Sequence, residues 1–288
     1  MEKEFELFVK EKRFLTNVTN KTLSWYRASW AAYNHYLKAE NLACELNKAQ
    51  LQGFMIHLRE RGISAISANT YARAINSFLS WLFENDYLKE HLRIKKLKEE
   101  EKVMPTYSRK DLEAFLSWKP KRWYEKRMYA LICTLIDTGA RIDIELLDLR
   151  RGDIDFDNLL IRLMGKGGKE RLVPMSLDLR KILFNWLKTH NHEFVFPTKK
   201  GYRQSHRNLL RDFYELCDQL GIKSARNSFH TFRHTFATEY LRNGGGELYL
   251  QKTLGHTTLS TTRKYAQITA QDLVEKHMQN SLLSRIKR

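Results

Sequence analysis

Apolar and aromatic positions near the start of the chain recur every three or four residues, the period of a helix packed on one side. In TNKTLSWYRASWAAYNHYL, Thr19 stands where a helix cap is needed, and Thr22, Trp25, Tyr26, Ser29, Trp30, Tyr33 and Leu37 share one broad face. Asn47 heads a second pattern, with Leu51, Phe54, Met55 and Leu58, that Gly62 ends. Ser67 opens a third, carrying Tyr71, Ile75, Phe78, Leu79 and Leu82. No strand pattern interrupts them, so residues 1–97 are expected to form a small helical bundle. Arg27, Lys48, Asn69 and Arg73 fall on the opposite faces, where they can meet a phosphate backbone.

Residues 98–107 break this regularity with mixed charge and Pro105, which predicts a connector. A second domain, 108–288, begins at Ser108 and Asp111, spaced as a capping box. Helical patterns in LEAFLSW and YEKRMYALICTLIDTG give way to alternation in DIDFDNLLIRLMGKGGKERLVPMS. Turn signals at Asp157 and Asn158, and again from Gly165 to Gly168, predict three short antiparallel strands. Helices then resume through LRKILFNWLK, NLLRDFYELCDQLG, HTFRHTFATEYLRNG, ELYLQKTLG and LSTTRKYAQI. The fold class is therefore α+β, mostly helical. Near the end, Val274, Met278 and Leu282 form an apolar stripe that either completes the core or docks on a neighbouring subunit.

Charge narrows the partner. The 288 residues carry 50 Lys and Arg against 33 Asp and Glu, a formal +17, which makes a polyanion the first partner to test. Residues 1–100 hold 16 basic and 12 acidic residues, so most of the positive field belongs to the second part. Cys44, Cys133 and Cys217 are far apart and odd in number, as expected of free thiols in a reducing compartment. With no apolar run of about 20 residues and a start too charged for a signal peptide, a cytoplasmic protein without a membrane span is expected.

The candidate chemistry lies in four short segments. TGAR ends a helix with Arg141, and GKGGK places Lys166 in a glycine-rich turn. That turn lacks the spacing and the Ser or Thr of a nucleotide-binding loop, and it joins strands instead of leading into a helix. In HTFRHTFATEY, His230 and Arg233 share one helical face while Phe232 and Phe236 share another that anchors the helix; His234 falls between and reads as a structural histidine. LGHTTLSTTRKY supplies His256 and Tyr265. Each segment taken singly is equally an ordinary helix end, hairpin or aromatic core position.

In order, Arg141, Lys166, His230, Arg233, His256 and Tyr265 resemble the catalytic set of the tyrosine recombinase, or phage-integrase, family, Xer-like or of the mobile-element integrase kind. The resemblance extends to the helical bundle, which looks like the family's core-binding domain. It implies cutting and rejoining of double-stranded DNA at a specific core site through a 3'-phosphotyrosine and a Holliday junction, in a homotetramer on DNA. It implies no cofactor and no metal. Two departures stand out. Many relatives carry an acidic residue three positions after the first arginine; here Ile144 is there and Glu145 follows, as if one residue were inserted. GGGELYLQ is about one residue short, and Glu145 is given no catalytic role. Relaxation by a type IB topoisomerase, or DNA binding without catalysis, are the alternatives.

Overall fold

The computed structural model describes residues 1–99, 104–165, 167–224, 226–256, 258–263 and 265. The chain divides into two compact units, Met1–Lys102 and Val103–Arg288, each described by itself.

Among its described residues the first unit contains four helices, one more than the spacing predicts: α1 (Glu2–Phe14), α2 (Asn20–Ala39), α3 (Lys48–Glu60) and α4 (Ala65–Glu84). The additional helix, α1, buries only Phe5, Phe8 and Val9, a narrow stripe among charged residues that composition conceals. Thr19 accepts from Thr22 N and Asn47 from Gln50 N, so both caps sit where the sequence places them. The cap of α4 is Ser64, one turn before Ser67. An aromatic core holds the bundle together. Phe5 stacks on Trp30 at 5.1 Å and meets Phe78 edge-on at 5.2 Å, and each buried ring contributes roughly 1.5–3 kcal/mol of transfer free energy.

One polar residue expected to face a phosphate backbone does not. Asn69 is buried, donates to Leu97 O at 2.9 Å and to Glu99 Oε1 at 2.8 Å, and accepts from Leu97 N at 2.8 Å. Asn76 treats Ile94 the same way, donating to its carbonyl and accepting from its amide. Both amides act as backbone surrogates for the extended segment behind α4, which removes Asn69 from any external contact. Arg27, also in that set, is paired with Glu6 at 2.8 Å.

The second unit starts with α5 (Arg109–Ser117) behind the Ser108 and Asp111 capping box, followed by α6 (Trp123–Thr138). Strands β1 (Ile154–Asp155), β2 (Leu160–Met164) and β3 (Glu170–Pro174) form one antiparallel sheet in the order β1-β2-β3, as the alternation predicts. Ile161 pairs with Val173, placing both in the core. Helices α7 (Leu177–Leu187), α8 (His206–Gln219), α9 (Phe229–Arg242), α10 (Glu247–Leu254) and α11 (Leu259–Arg263) complete the described unit. Phe232 of α9 lies 4.5 Å from Tyr107 and 5.2 Å from Phe115, so α9 is anchored through the expected face. The stripe at Val274, Met278 and Leu282 lies outside the described residues.

Candidate active site

Gly139 ends α6 in the left-handed conformation, φ 60°, and turns the chain so that Arg141 leaves the helix sideways. A Cβ at Gly139 would lie 2.5 Å from Phe236 Cδ1, so glycine is required by space as well as by φ. Packing that tight brings the end of α6 directly against α9, and there Arg233 takes over. Arg233 is 3% exposed; its Nη1 donates to Gly139 O at 2.8 Å and its Nη2 to Leu254 O at 2.6 Å. One guanidinium thus satisfies carbonyls at the C-terminal ends of two helices, α6 and α10. Burial, reinforced by the Arg141 charge, lowers its pKa to about 10, leaving it a cation at neutral pH.

Arg233 Nη2 also lies 3.0 Å from His256 Nε2. Arginine has only donors, so Nε2 carries the lone pair and the His256 proton is on Nδ1, which donates to Thr262 Oγ1 at 2.9 Å. Burial and the charges of Arg233, Arg141 and Arg171 depress the His256 pKa to about 4, so the ring is neutral. Gly255, left-handed at φ 65°, closes α10 and sets His256 beside it.

Tyr265 is buried with Ala237, Leu250 and Leu254. Its ring stacks on His256 at 5.9 Å and 13° and approaches His234 at 5.5 Å. His234 in turn meets His230 edge-on at 6.1 Å. Burial lowers the His234 pKa to about 4. His230 is solvent-exposed, and its pKa is also lowered, by desolvation and by the charges of Arg233 and Arg141.

Arg141 is held by a carboxylate that sequence reasoning left without a role. Glu145 Oε2 accepts from Arg141 N at 2.6 Å, and Oε1 pairs with Arg141 Nη1 at 2.8 Å. Arg171 grips both oxygens, Nη2 to Oε2 at 2.9 Å and Nη1 to Oε1. Burial works to raise the Glu145 pKa, yet the Arg171 and Arg141 contacts outweigh it and the group titrates below the ordinary carboxylate range. Arg171 Nε donates to Thr253 O at 2.8 Å, tying β3 to the end of α10. The sequence does carry a signal for Arg171. On β3 it shares a face with buried Val173, while Leu172 faces solvent, an inversion of the usual polarity.

A cleft of about 560 Å³ opens between these groups, lined by Arg141, Gly165, Lys169, Arg171, His256 and Thr261. Five of the six expected residues, Arg141, His230, Arg233, His256 and Tyr265, thus lie in one neighbourhood. Lys166 lies outside the described residues, but its neighbour Gly165 borders the cleft. Gly165 N donates to Lys169 O at 2.7 Å, closing the expected hairpin turn.

The sequence profile described as the phage integrase family matches residues 106–272. The chain is 25% identical to the tyrosine recombinase XerD of Oceanobacillus iheyensis over 283 residues, covering 93% of this chain and 95% of that protein. Identity to the tyrosine recombinase XerC of Pediococcus pentosaceus is 27%, covering 94% and 96%. Among solved structures, the Tn1549 transposon integrase in complex with transposon right end DNA superposes with a TM-score of 0.78 at 19% identity, covering 99% of each chain.

Proposed function

The chain belongs to the phage integrase family, and we infer that it is a site-specific tyrosine recombinase that cuts and rejoins duplex DNA. The observation that carries this is the junction at Arg233, where one buried guanidinium joins the ends of α6 and α10 to His256, with the Tyr265 ring stacked behind it. DNA binding alone needs positive charge; it does not need a tyrosine set against a buried arginine and neutral histidines.

The chemistry follows from the groups present. Arg141 and Arg233 hold the nonbridging oxygens of the scissile phosphate, where charge intensifies during transfer. The Tyr265 hydroxyl oxygen attacks phosphorus and forms the 3'-phosphotyrosine while its proton passes to His230, whose lowered pKa keeps it unprotonated and ready. The P–O5' bond breaks, and Lys166 protonates the departing 5' oxygen. Attack of a 5'-hydroxyl from the partner strand reverses these steps and releases Tyr265. His256 orients the Arg233 fork in the free protein; its Nε2 donates to the phosphate once DNA displaces Arg233 Nη2 and the proton moves to that nitrogen.

Two successive exchanges through a Holliday junction, in a homotetramer on synapsed core sites, complete the reaction. Residues 1–97 serve as a core-binding domain and residues 108–288 as the catalytic domain, and the work is done in the cytoplasm, where Cys44, Cys133 and Cys217 stay as free thiols. The test uses supercoiled plasmids carrying paired repeats taken from the DNA flanking the gene, and a plasmid without them. Recombinant circles from the paired sites alone are expected. Efficient relaxation of the site-free plasmid with no recombinants would instead make the protein a topoisomerase.

A further inference from the structure

The segment after Arg141 holds one residue more than an α-helical turn accommodates, and the backbone accounts for it. Ile142–Leu146 is a π-helical turn: Leu146 N donates to Arg141 O at 3.1 Å and Leu147 N to Ile142 O at 3.0 Å. Such wide turns are rare and concentrate at functional sites. In α-helical winding Leu147 N would bond Asp143 O. Here that amide has moved one carbonyl back, so the Asp143 carbonyl takes its proton from elsewhere.

The donor is Arg203, from the loop before α8. Its Nη2 donates to Asp143 O at 2.9 Å and to Asp148 Oδ2 at 2.9 Å, while its Nε pairs with Asp148 Oδ1. One guanidinium therefore spans the wide turn, gripping a carbonyl inside it and a carboxylate just beyond it. His206, at the start of α8, faces the Asp143 carboxylate at 3.5 Å. Between these grips lies Glu145, which in this register reaches both Arg141 and Arg171.

We propose that Arg203 is a positioning residue for strand cleavage, acting through the π turn. It supplies the hydrogen bond that the inserted residue takes away, and so keeps Glu145, and with it Arg141, in place at the cleft. This rests on the recombinase reading for its effect on cleavage, whereas its effect on the turn is independent of that reading.

A two-by-two set of variants tests it: wild type, Arg203→Met, deletion of Ile144, and both together. Amide hydrogen exchange at Glu145, Leu146 and Leu147 is read in the free protein. Single-turnover cleavage at saturating protein, and DNA affinity at matched salt, are read on a nicked duplex core site. Arg203→Met should raise exchange at those amides and slow cleavage about tenfold, equivalent to ~1.4 kcal/mol of barrier, with affinity within about twofold. Deleting Ile144 lets the turn wind as an α-helix, returns an amide donor to the Asp143 carbonyl, and makes Arg203→Met silent. Arg203→Lys, able to reach the carbonyl but not to fork Asp148, should recover part of the protection even if the deletion does not fold. Unchanged exchange in Arg203→Met overturns the proposal. So does a loss confined to affinity, with a shallower salt dependence, because that is the signature of a phosphate contact. Raised exchange in Arg203→Met alongside a wild-type protein that cleaves no DNA upholds the role in the turn and counts against the recombinase reading instead.

Discussion

Arg233 donates through one terminal nitrogen to Gly139 O at 2.8 Å, and that contact fixes the end of α6 against α9. The same side chain reaches Leu254 O and His256, so one guanidinium joins both helix ends to the histidine. Lysine keeps the charge but loses the fork. Arg233→Lys should lower single-turnover cleavage by about 100-fold or more, the range seen when one preorganised donor is lost, while DNA affinity at matched salt changes by less than about threefold. Paired cleavage and binding titrations check this.

Gly139 carries the second prediction. A side chain there meets Phe236 Cδ1 at 2.5 Å and must also adopt φ 60°. Gly139→Ala should cost about 2–4 kcal/mol of unfolding free energy from strain and overpacking together. Urea denaturation measures it. Gly152→Ala, at a glycine with nothing within 4 Å of a built Cβ, is the control and should shift the midpoint little.

Glu145 is a buried carboxylate between two arginines. Removing it leaves Arg141 and Arg171 without their shared anion, and Glu145→Gln should destabilise by roughly 3–5 kcal/mol. Arg171→Met in the same chain should cost less than the two single changes added, with a coupling of about 0.5–3 kcal/mol. Unfolding midpoints of the four proteins of the cycle report the coupling, and strict additivity would separate the two side chains.

Buried histidines make stability sensitive to acid. Burial, first among the causes, holds His190, His234 and His256 at about 4. Unfolded histidines take up protons near 6.5, so between those values the unfolded chain binds more protons than the folded one. The stabilisation is complete above about pH 6.5 and is lost as pH falls towards 4, each group contributing at most about 1.4 kcal/mol per pH unit and less where the ring is partly exposed. Melting temperature should therefore drop between pH 6.5 and 4.5, and His256→Gln should flatten that slope. An identical slope in the variant would remove His256 from the set.

Local features of the fold were legible because their causes are local. Thr19, Asn47 and Ser108 cap helices through bonds to amides a few residues ahead. Ser64 and Ser67 are equally good cap residues three apart, and the expectation that Ser67 opens α4 is corrected to a cap at Ser64. The order of motifs led to the arginines, histidines and Tyr265. Periodicity did not lead to Glu145, because a π turn shifts the register that counting at 3.6 residues per turn assumes. Nor did it lead to the contacts of Arg171 with Thr253 and Arg203 with Asp143, which join segments far apart in the chain and exist only once the sheet and helices have packed.

Trapping the covalent intermediate tests the nucleophile directly. A duplex core site nicked beside the scissile phosphate releases a short fragment on cleavage and prevents rejoining, so the attached protein accumulates. Digestion and peptide mapping of that adduct should place a 3'-phosphate on Tyr265, and Tyr265→Phe, which keeps the ring stacked on His256, should bind the same DNA yet form no adduct. A 5'-linked product, attachment at another residue, or undiminished cleavage by Tyr265→Phe would contradict the assignment of Tyr265 as the nucleophile.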